Sequence, residues 1–162
     1  MHVTGPGGRL DVHVDFNVIE DRKLFRRVNL LLFLNPRWEA WWGGELQLWD
    51  RDVKTCERHF LPQHNRCVIF ETSNISYHGV TPVSPKAPLA RHSFAVYYYT
   101  REVPPEWSGR VHSTIFHARP DEKLRGYVLM PAERLQHELR ASVWRLKRKV
   151  KDLLQRGRAS AR

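Results

Sequence analysis

Residues Leu10 to Asn17, LDVHVDFN, alternate apolar and polar without interruption. Side chains on an extended chain project to opposite faces with period two. The pattern therefore predicts a strand over 9–17, with Leu10, Val12, Val14 and Phe16 on one face and Asp11, His13, Asp15 and Asn17 on the other. His13 and Asp15 then point the same way, about 7 Å apart. An imidazole and a carboxylate held side by side are two members of a facial metal site that one further histidine completes. Such a donor set suits non-haem iron(II) with open coordination positions. Any antiparallel strand with one solvated face alternates in the same manner, so the rest of the chain has to supply the third ligand.

With 162 residues, the chain is long enough for one domain with a real core. Turn residues punctuate short β-like runs at regular intervals, and this favours an all-β sandwich or barrel. No apolar run reaches the eighteen or so residues of a membrane span; the longest, Val28 to Leu34, is broken by Asn29. The Gly/Pro-rich start, 1–8, reads as a flexible lead-in and not as a signal peptide. Cys56 and Cys67 make no disulfide framework and no C-x-x-C zinc spacing, and they fit a reducing, cytoplasmic location.

Read in order, a charged stretch, 20–27, separates the first strand from Val28–Leu34. That strand is apolar on both faces apart from Asn29 and so suits a central, buried position. Asn35-Pro36 ends it. A tryptophan-rich loop with Trp38, Trp41 and Trp42 leads to a strand around Leu46–Trp49. That loop either lines a groove or is pinned to the body by aromatic burial. Residues 55–60 and 67–71 read as a hairpin, and Thr72 to Pro88 as a long loop with His78 beside a turn. A last strand, Ala90 to Thr100, carries Arg91, Ser93, Ala95, Tyr97 and Tyr99 on one face. His92 has the opposite parity, and His59, His64, His112 and His117 read as surface or supporting residues.

The ordered series His13-Val14-Asp15, Asn35-Pro36, Gly43-Gly44-Glu45-Leu46, His78-Gly79-Val80 and Arg91-His92-Ser93 resembles the 2-oxoglutarate/Fe(II) dioxygenase superfamily, closest to its prolyl-4-hydroxylase-like branch. The resemblance spans roughly residues 9–100. It implies a mainly β fold, a double-stranded β-helix (jelly-roll, cupin-like) core. It also implies that His13, Asp15 and His78 are the iron ligands, and that Arg91, helped by Ser93, takes the distal carboxylate of 2-oxoglutarate. Members normally carry a further strand and helices before the His-x-Asp strand, so this chain is expected to be N-terminally incomplete. The implied reaction is hydroxylation of an unactivated carbon with release of succinate and carbon dioxide, with ascorbate as an accessory reductant. Asp15 stands where halogenating relatives leave room for chloride, so hydroxylation is the expected outcome. The substrate stays open between peptidyl proline, a free amino acid, and a glycan or lipid precursor. Two other readings of the same residues are a catalytically weak metal-binding barrel serving as an interaction module, and a zinc hydrolase or cupin using the same triad. Neither of these needs the Arg91-x-Ser93 carboxylate anchor.

The net charge of +10 is unevenly placed: residues 132–162 hold ten Lys/Arg against Glu133, Glu138 and Asp152, which leaves the preceding part weakly charged. In the same stretch Leu139, Val143, Leu146, Val150 and Leu153 fall at 4-3-4-3 spacing, a basic amphipathic helix. The expected organisation is therefore a β core over 1–104, a connecting segment over 105–130 and a helical tail over 131–162. The tail suits a homodimer or partner contact, or an anionic membrane surface. Nucleic acid ranks last, since only Trp144 interleaves an aromatic among the basic residues.

Overall fold

In a computed structural model, residues 1–122 are described. The expected C-terminal helix, 131–162, lies outside the described residues, as does most of the far end of the connecting segment. Met1–Asp121 form one compact unit. Its strands are β1 (His2–Thr4), β2 (Leu10–Val14), β3 (Val18–Ile19), β4 (Leu24–Phe33), β5 (Leu46–Trp49), β6 (Cys56–Phe60), β7 (Cys67–Glu71), β8 (His78–Val80), β9 (Arg91–Thr100) and β10 (Ile115–His117). Among the described residues the protein is mainly β, and no helix there is long and apolar enough to cross a membrane.

Two five-stranded antiparallel sheets form the fold. One runs β1-β9-β4-β3, with β7 also paired to β4; the other runs β10-β2-β8-β5-β6. The core lies between them. Leu31 and Phe33 from β4 and Val68 from β7 meet Leu46 from β5, with Leu48, Phe60, Phe70 and Ala95 packed around them. Facing side chains drawn from both sheets are how a β-sandwich buries its apolar area.

β4 is central, as its composition predicted, but longer: it absorbs part of the charged stretch and begins at Leu24. Its two faces also differ. Leu31 and Phe33 are buried, whereas Leu30 and Leu32 on the alternate face are only half-buried. Several further expectations are corrected. The lead-in is no loose end, because His2–Thr4 pair with Ser93–Arg91 at the edge of the first sheet. β2 is shorter than 9–17: its ladder stops at Val14, and Asp15 follows just beyond. Residues 55–60 and 67–71 do not form a hairpin. β6 pairs with β5 in one sheet and β7 with β4 in the other. The connection between them is long enough to cross the roughly 10 Å separating stacked sheets, and both ends can then turn apolar residues into the shared core. The long loop Thr72–Pro88 is interrupted by β8, a three-residue strand paired on both sides. Within the segment read as connecting, β10 pairs along β2, with Phe116 opposite His13.

The tryptophan loop is held by burial. Trp38 and Trp42 pack edge to face at 5.2 Å and share a small core with Val83 and Ala87. Trp41 alone projects outward, at 63% exposure.

Candidate metal centre

β2 places His13, and β8 places His78 directly opposite it. In an antiparallel ladder, directly paired residues project to the same face. The row continues to Leu48, which pairs with His78 on β5 and packs against the core between the sheets. His13 and His78 are therefore inward-facing and buried, at 5% and 6% exposure. Their ring centroids are 4.3 Å apart, and Phe70 closes on His78 at 4.8 Å.

Asp15 completes the group. Its Oδ1 lies 3.6 Å from His13 Nε2 and its Oδ2 lies 3.5 Å from His78 Nε2. One ligand atom from each of the three residues falls within 4.8 Å of the others. The tautomers follow from the partners. His13 Nδ1 is 2.9 Å from the Asp11 carbonyl oxygen, and His78 Nδ1 is 3.0 Å from that of Ser76. A carbonyl only accepts, so each Nδ1 carries the proton and donates it. In the neutral ring each Nε2 then keeps its lone pair. Backbone carbonyls orient metal-ligating histidines in this way. The donor set, two neutral imidazoles and one carboxylate, fits a divalent metal such as iron(II).

The electrostatics agree. Burial, with added repulsion from His13, pulls His78 down to about 4, against the attraction of Asp15. The ring is neutral at physiological pH, as a ligand must be. For Asp15, burial pushes the carboxyl up. The adjacent His13 and His78 rings, the Arg26 guanidinium and a hydrogen bond from Asn29 outweigh this and hold it well below the usual carboxylate range. It is an anion at neutral pH.

A fault in the β2–β8 ladder brings these groups together. Leu10 pairs with Val80 and His13 with His78, so β2 carries one more residue than β8 between the two pairs, a bulge. The unbroken alternation expected from Leu10 is interrupted there: Leu10 is 40% exposed, while Val12 and Val14 are fully buried. Gly79 lies against the bulge. A Cβ on it would stand 3.0 Å from the Leu10 carbonyl oxygen and 3.1 Å from Val12 backbone atoms. Arg119 fastens the same place, with Nη2 donating to the carbonyls of Leu10 at 3.3 Å and Val80 at 3.1 Å.

Arg91 and Ser93 share a face of β9, as their parity predicted, and both are buried, at 2% and 0% exposure. Arg91 Nη1 donates to Ser93 Oγ at 3.2 Å and Nε donates to the Gly44 carbonyl at 2.8 Å. Its guanidinium lies 5.1 Å from the centre of the Phe33 ring. Burial pulls it down to about 10, so it keeps its charge at neutral pH. Asn35 does more than end β4. Its Nδ2 donates to the Ala90 carbonyl at 2.8 Å and its Oδ1 accepts from the His92 amide at 2.7 Å, so it clasps the start of β9 on either side of Arg91.

Two residues that sequence reasoning did not assign to the site stand against Asp15. Arg26 Nη2 lies 3.0 Å from Asp15 Oδ2, and Asn29 Nδ2 donates to the same oxygen at 2.8 Å. The available signal was Asn29 itself, the one polar residue in an otherwise apolar run. The other described histidines lie outside the ligand group. His59 is exposed beside Glu45, and His112 bonds Asn74 at 2.8 Å. His92 pairs with Val3 across the ladder.

Taken together, fold and site define a class: an antiparallel β-sandwich holding a two-histidine, one-carboxylate metal centre between its sheets. Residues 1–99 match the family model described as the 2OG-Fe(II) oxygenase superfamily. The chain belongs to that superfamily, which implies iron(II) and 2-oxoglutarate. A stretch of 62 residues, 36% of the chain, is 37% identical to prolyl 3-hydroxylase OGFOD1 of Mus musculus. The match spans 11% of that relative's length.

Proposed function

We propose that the chain is an Fe(II)- and 2-oxoglutarate-dependent hydroxylase of the prolyl-hydroxylase-like kind, built on a double-stranded β-helix core. The observation that carries this reading is the convergence of His13 Nε2, His78 Nε2 and Asp15, with both Nδ1 protons committed to backbone carbonyls. In this reading those three residues hold the iron, and the bound iron supplies dioxygen activation coupled to decarboxylation of 2-oxoglutarate. Arg91 takes the distal carboxylate of the co-substrate. A buried guanidinium offers a planar fork matched to a carboxylate, and charge-assisted bonds of this kind are the strong ones. Ser93 Oγ and the Gly44 carbonyl hold that fork in place. Phe33 and Phe70 line the same interior and exclude water, which strengthens each polar contact there.

The name of the murine relative makes a peptidyl proline the first substrate to test. Ascorbate as a reductant and a cytoplasmic setting belong to the same proposal, and the free thiols of Cys56 and Cys67 are compatible with that setting. The basic segment 131–162 is proposed as the contact with a partner, a second copy or an anionic surface. The deciding experiment adds Fe(II) and 2-oxoglutarate under anaerobic conditions, then admits air. A weak visible charge-transfer band followed by succinate formation is expected. No band and no succinate with any candidate substrate rejects the reading.

A further inference from the structure

We propose that Arg26, acting with Asn29, is a positioning residue that confines Asp15 to a single metal-binding oxygen; this rests on the metal reading above. The three side chains form a closed triangle. Arg26 Nη2 pairs with Asp15 Oδ2 at 3.0 Å, Asn29 Nδ2 donates to the same Oδ2 at 2.8 Å, and Arg26 Nε donates to Asn29 Oδ1 at 3.1 Å. Asn29 is nearly inaccessible, at 2% exposure, and Arg26 is at 6%. The guanidinium is also held by two aromatic rings, 4.0 Å from the centre of Tyr97 and 4.9 Å from that of Phe16. A planar fork pinned in this way offers its protons in one direction only.

The consequence falls on the carboxylate. Each carboxylate oxygen has about two lone-pair sites in the plane of the group. On Oδ2 the Asn29 amide donates into one of these, and the Arg26 guanidinium faces the same oxygen as an ion pair at 3.0 Å. His78 Nε2 is 3.5 Å from the same oxygen, but its proton sits on Nδ1, so it makes no bond there. Oδ1 is the oxygen turned toward His13 Nε2, at 3.6 Å. A metal held by the two Nε2 atoms and Oδ1 keeps three of six positions for other ligands. If Oδ2 swung in as well, it would take one of the positions that a chelating 2-oxo acid and dioxygen require. Arg26 also brings a positive charge close to a dication. The triangle therefore gives up some metal affinity and keeps a coordination position open.

The test uses the full chain loaded with Co(II), whose visible absorption reports coordination number, together with titration of 2-oxoglutarate into the loaded protein. For Arg26→Gln the expected result is Co(II) binding at least as tight as in the parent, an altered visible spectrum, and 2-oxoglutarate affinity lowered by roughly tenfold or more. Arg26→Lys keeps the charge without the fork and should fall between the two. Asn29→Ala should shift spectrum and co-substrate affinity in the same direction by less, and it decides the matter if Arg26→Gln does not fold. A purely structural role predicts that Co(II) and 2-oxoglutarate weaken together with the spectrum unchanged, and that result overturns the proposal. So does a parental spectrum and parental 2-oxoglutarate affinity in both Arg26→Gln and Asn29→Ala. A parent protein that binds no Co(II) rejects the metal reading itself, and the proposal with it.

Discussion

His13 and His78 face each other across the β2–β8 ladder, ring centroids 4.3 Å apart, and Gly79 sits one residue beyond the pair, against the bulge in β2. The spacing of the two imidazoles therefore depends on backbone packing at a position that is tight for any side chain. Gly79→Ala should press β8 away from Val12, since a methyl 3.0–3.1 Å from backbone fits only if that backbone gives by a few tenths of an ångström. Overpacking of this kind costs roughly 1–3 kcal/mol. Chemical denaturation should show that loss, and metal titration should show a fall in Co(II) affinity larger than any caused by Gly5→Ala, where nothing lies within 4 Å.

Acidification should destabilise the metal-free protein through His78. Its folded value of about 4 lies below the ordinary 6.5. Between those values the unfolded chain binds a proton that the folded chain refuses, so stability is lost as pH falls from 6.5 toward 4. The full loss is about 3 kcal/mol by linkage. Asp15 adds a loss of the same sign at lower pH, because its folded value is also depressed. Urea unfolding at pH 7, 5.5 and 4.5 should show the slope, and His78→Gln should flatten it above pH 4.5. An equal slope in the variant would reject the assignment.

Arg91→Ala should leave Co(II) or Fe(II) binding near the parental level while raising the apparent constant for 2-oxoglutarate about tenfold or more, on the order of 1.5–3 kcal/mol. Arg91→Lys should recover part of this, since a point charge does not reproduce the fork. Succinate production titrated against 2-oxoglutarate provides the measurement. Parental titration by Arg91→Ala would leave the metal in place and remove the co-substrate assignment.

Gly44 should matter to the same step from behind. Its carbonyl accepts from Arg91 Nε at 2.8 Å, its φ is +70°, and a Cβ there would stand 3.2 Å from Arg91 Cδ. Gly44→Ala strains a left-handed position and presses on the arginine stem, at a cost of roughly 1–2 kcal/mol. The expected signature is weaker 2-oxoglutarate binding with metal binding retained.

Phe33→Ala tests the core beneath the proposed co-substrate anchor, Arg91. Phe33 is fully buried between the sheets, with the Arg91 guanidinium 5.1 Å from its ring. The transfer and cavity terms together cost about 3–5 kcal/mol. Thermal unfolding should show the loss, and 2-oxoglutarate affinity should fall with it, because the guanidinium loses the surface it rests on.

Much of the site was legible in local pattern. The period of two put His13 and Asp15 on one side of a strand, and Arg91 and Ser93 on one side of another, because side-chain direction along an extended chain is set within two or three residues. The apolar run through Leu31 and Phe33 marked a central strand for the same reason. Pairing was not legible, because which strands adjoin depends on residues far apart in the chain. β6 and β7 are neighbours in sequence, yet they lie in opposite sheets. The three-residue β8 carries no periodic signal of its own and becomes a strand only because β2 and β5 flank it. The bulge opposite Gly79 and the Arg26–Asn29 hold on Asp15 are likewise products of packing between distant segments. Local pattern in the chain fixes which donor types exist and that His13 shares a direction with Asp15, and Arg91 with Ser93. That His78 meets His13, and that one oxygen of Asp15 is already engaged, depends on packing across the sheets, since hydrogen-bond partners between strands are chosen by the whole sheet and not by either strand alone.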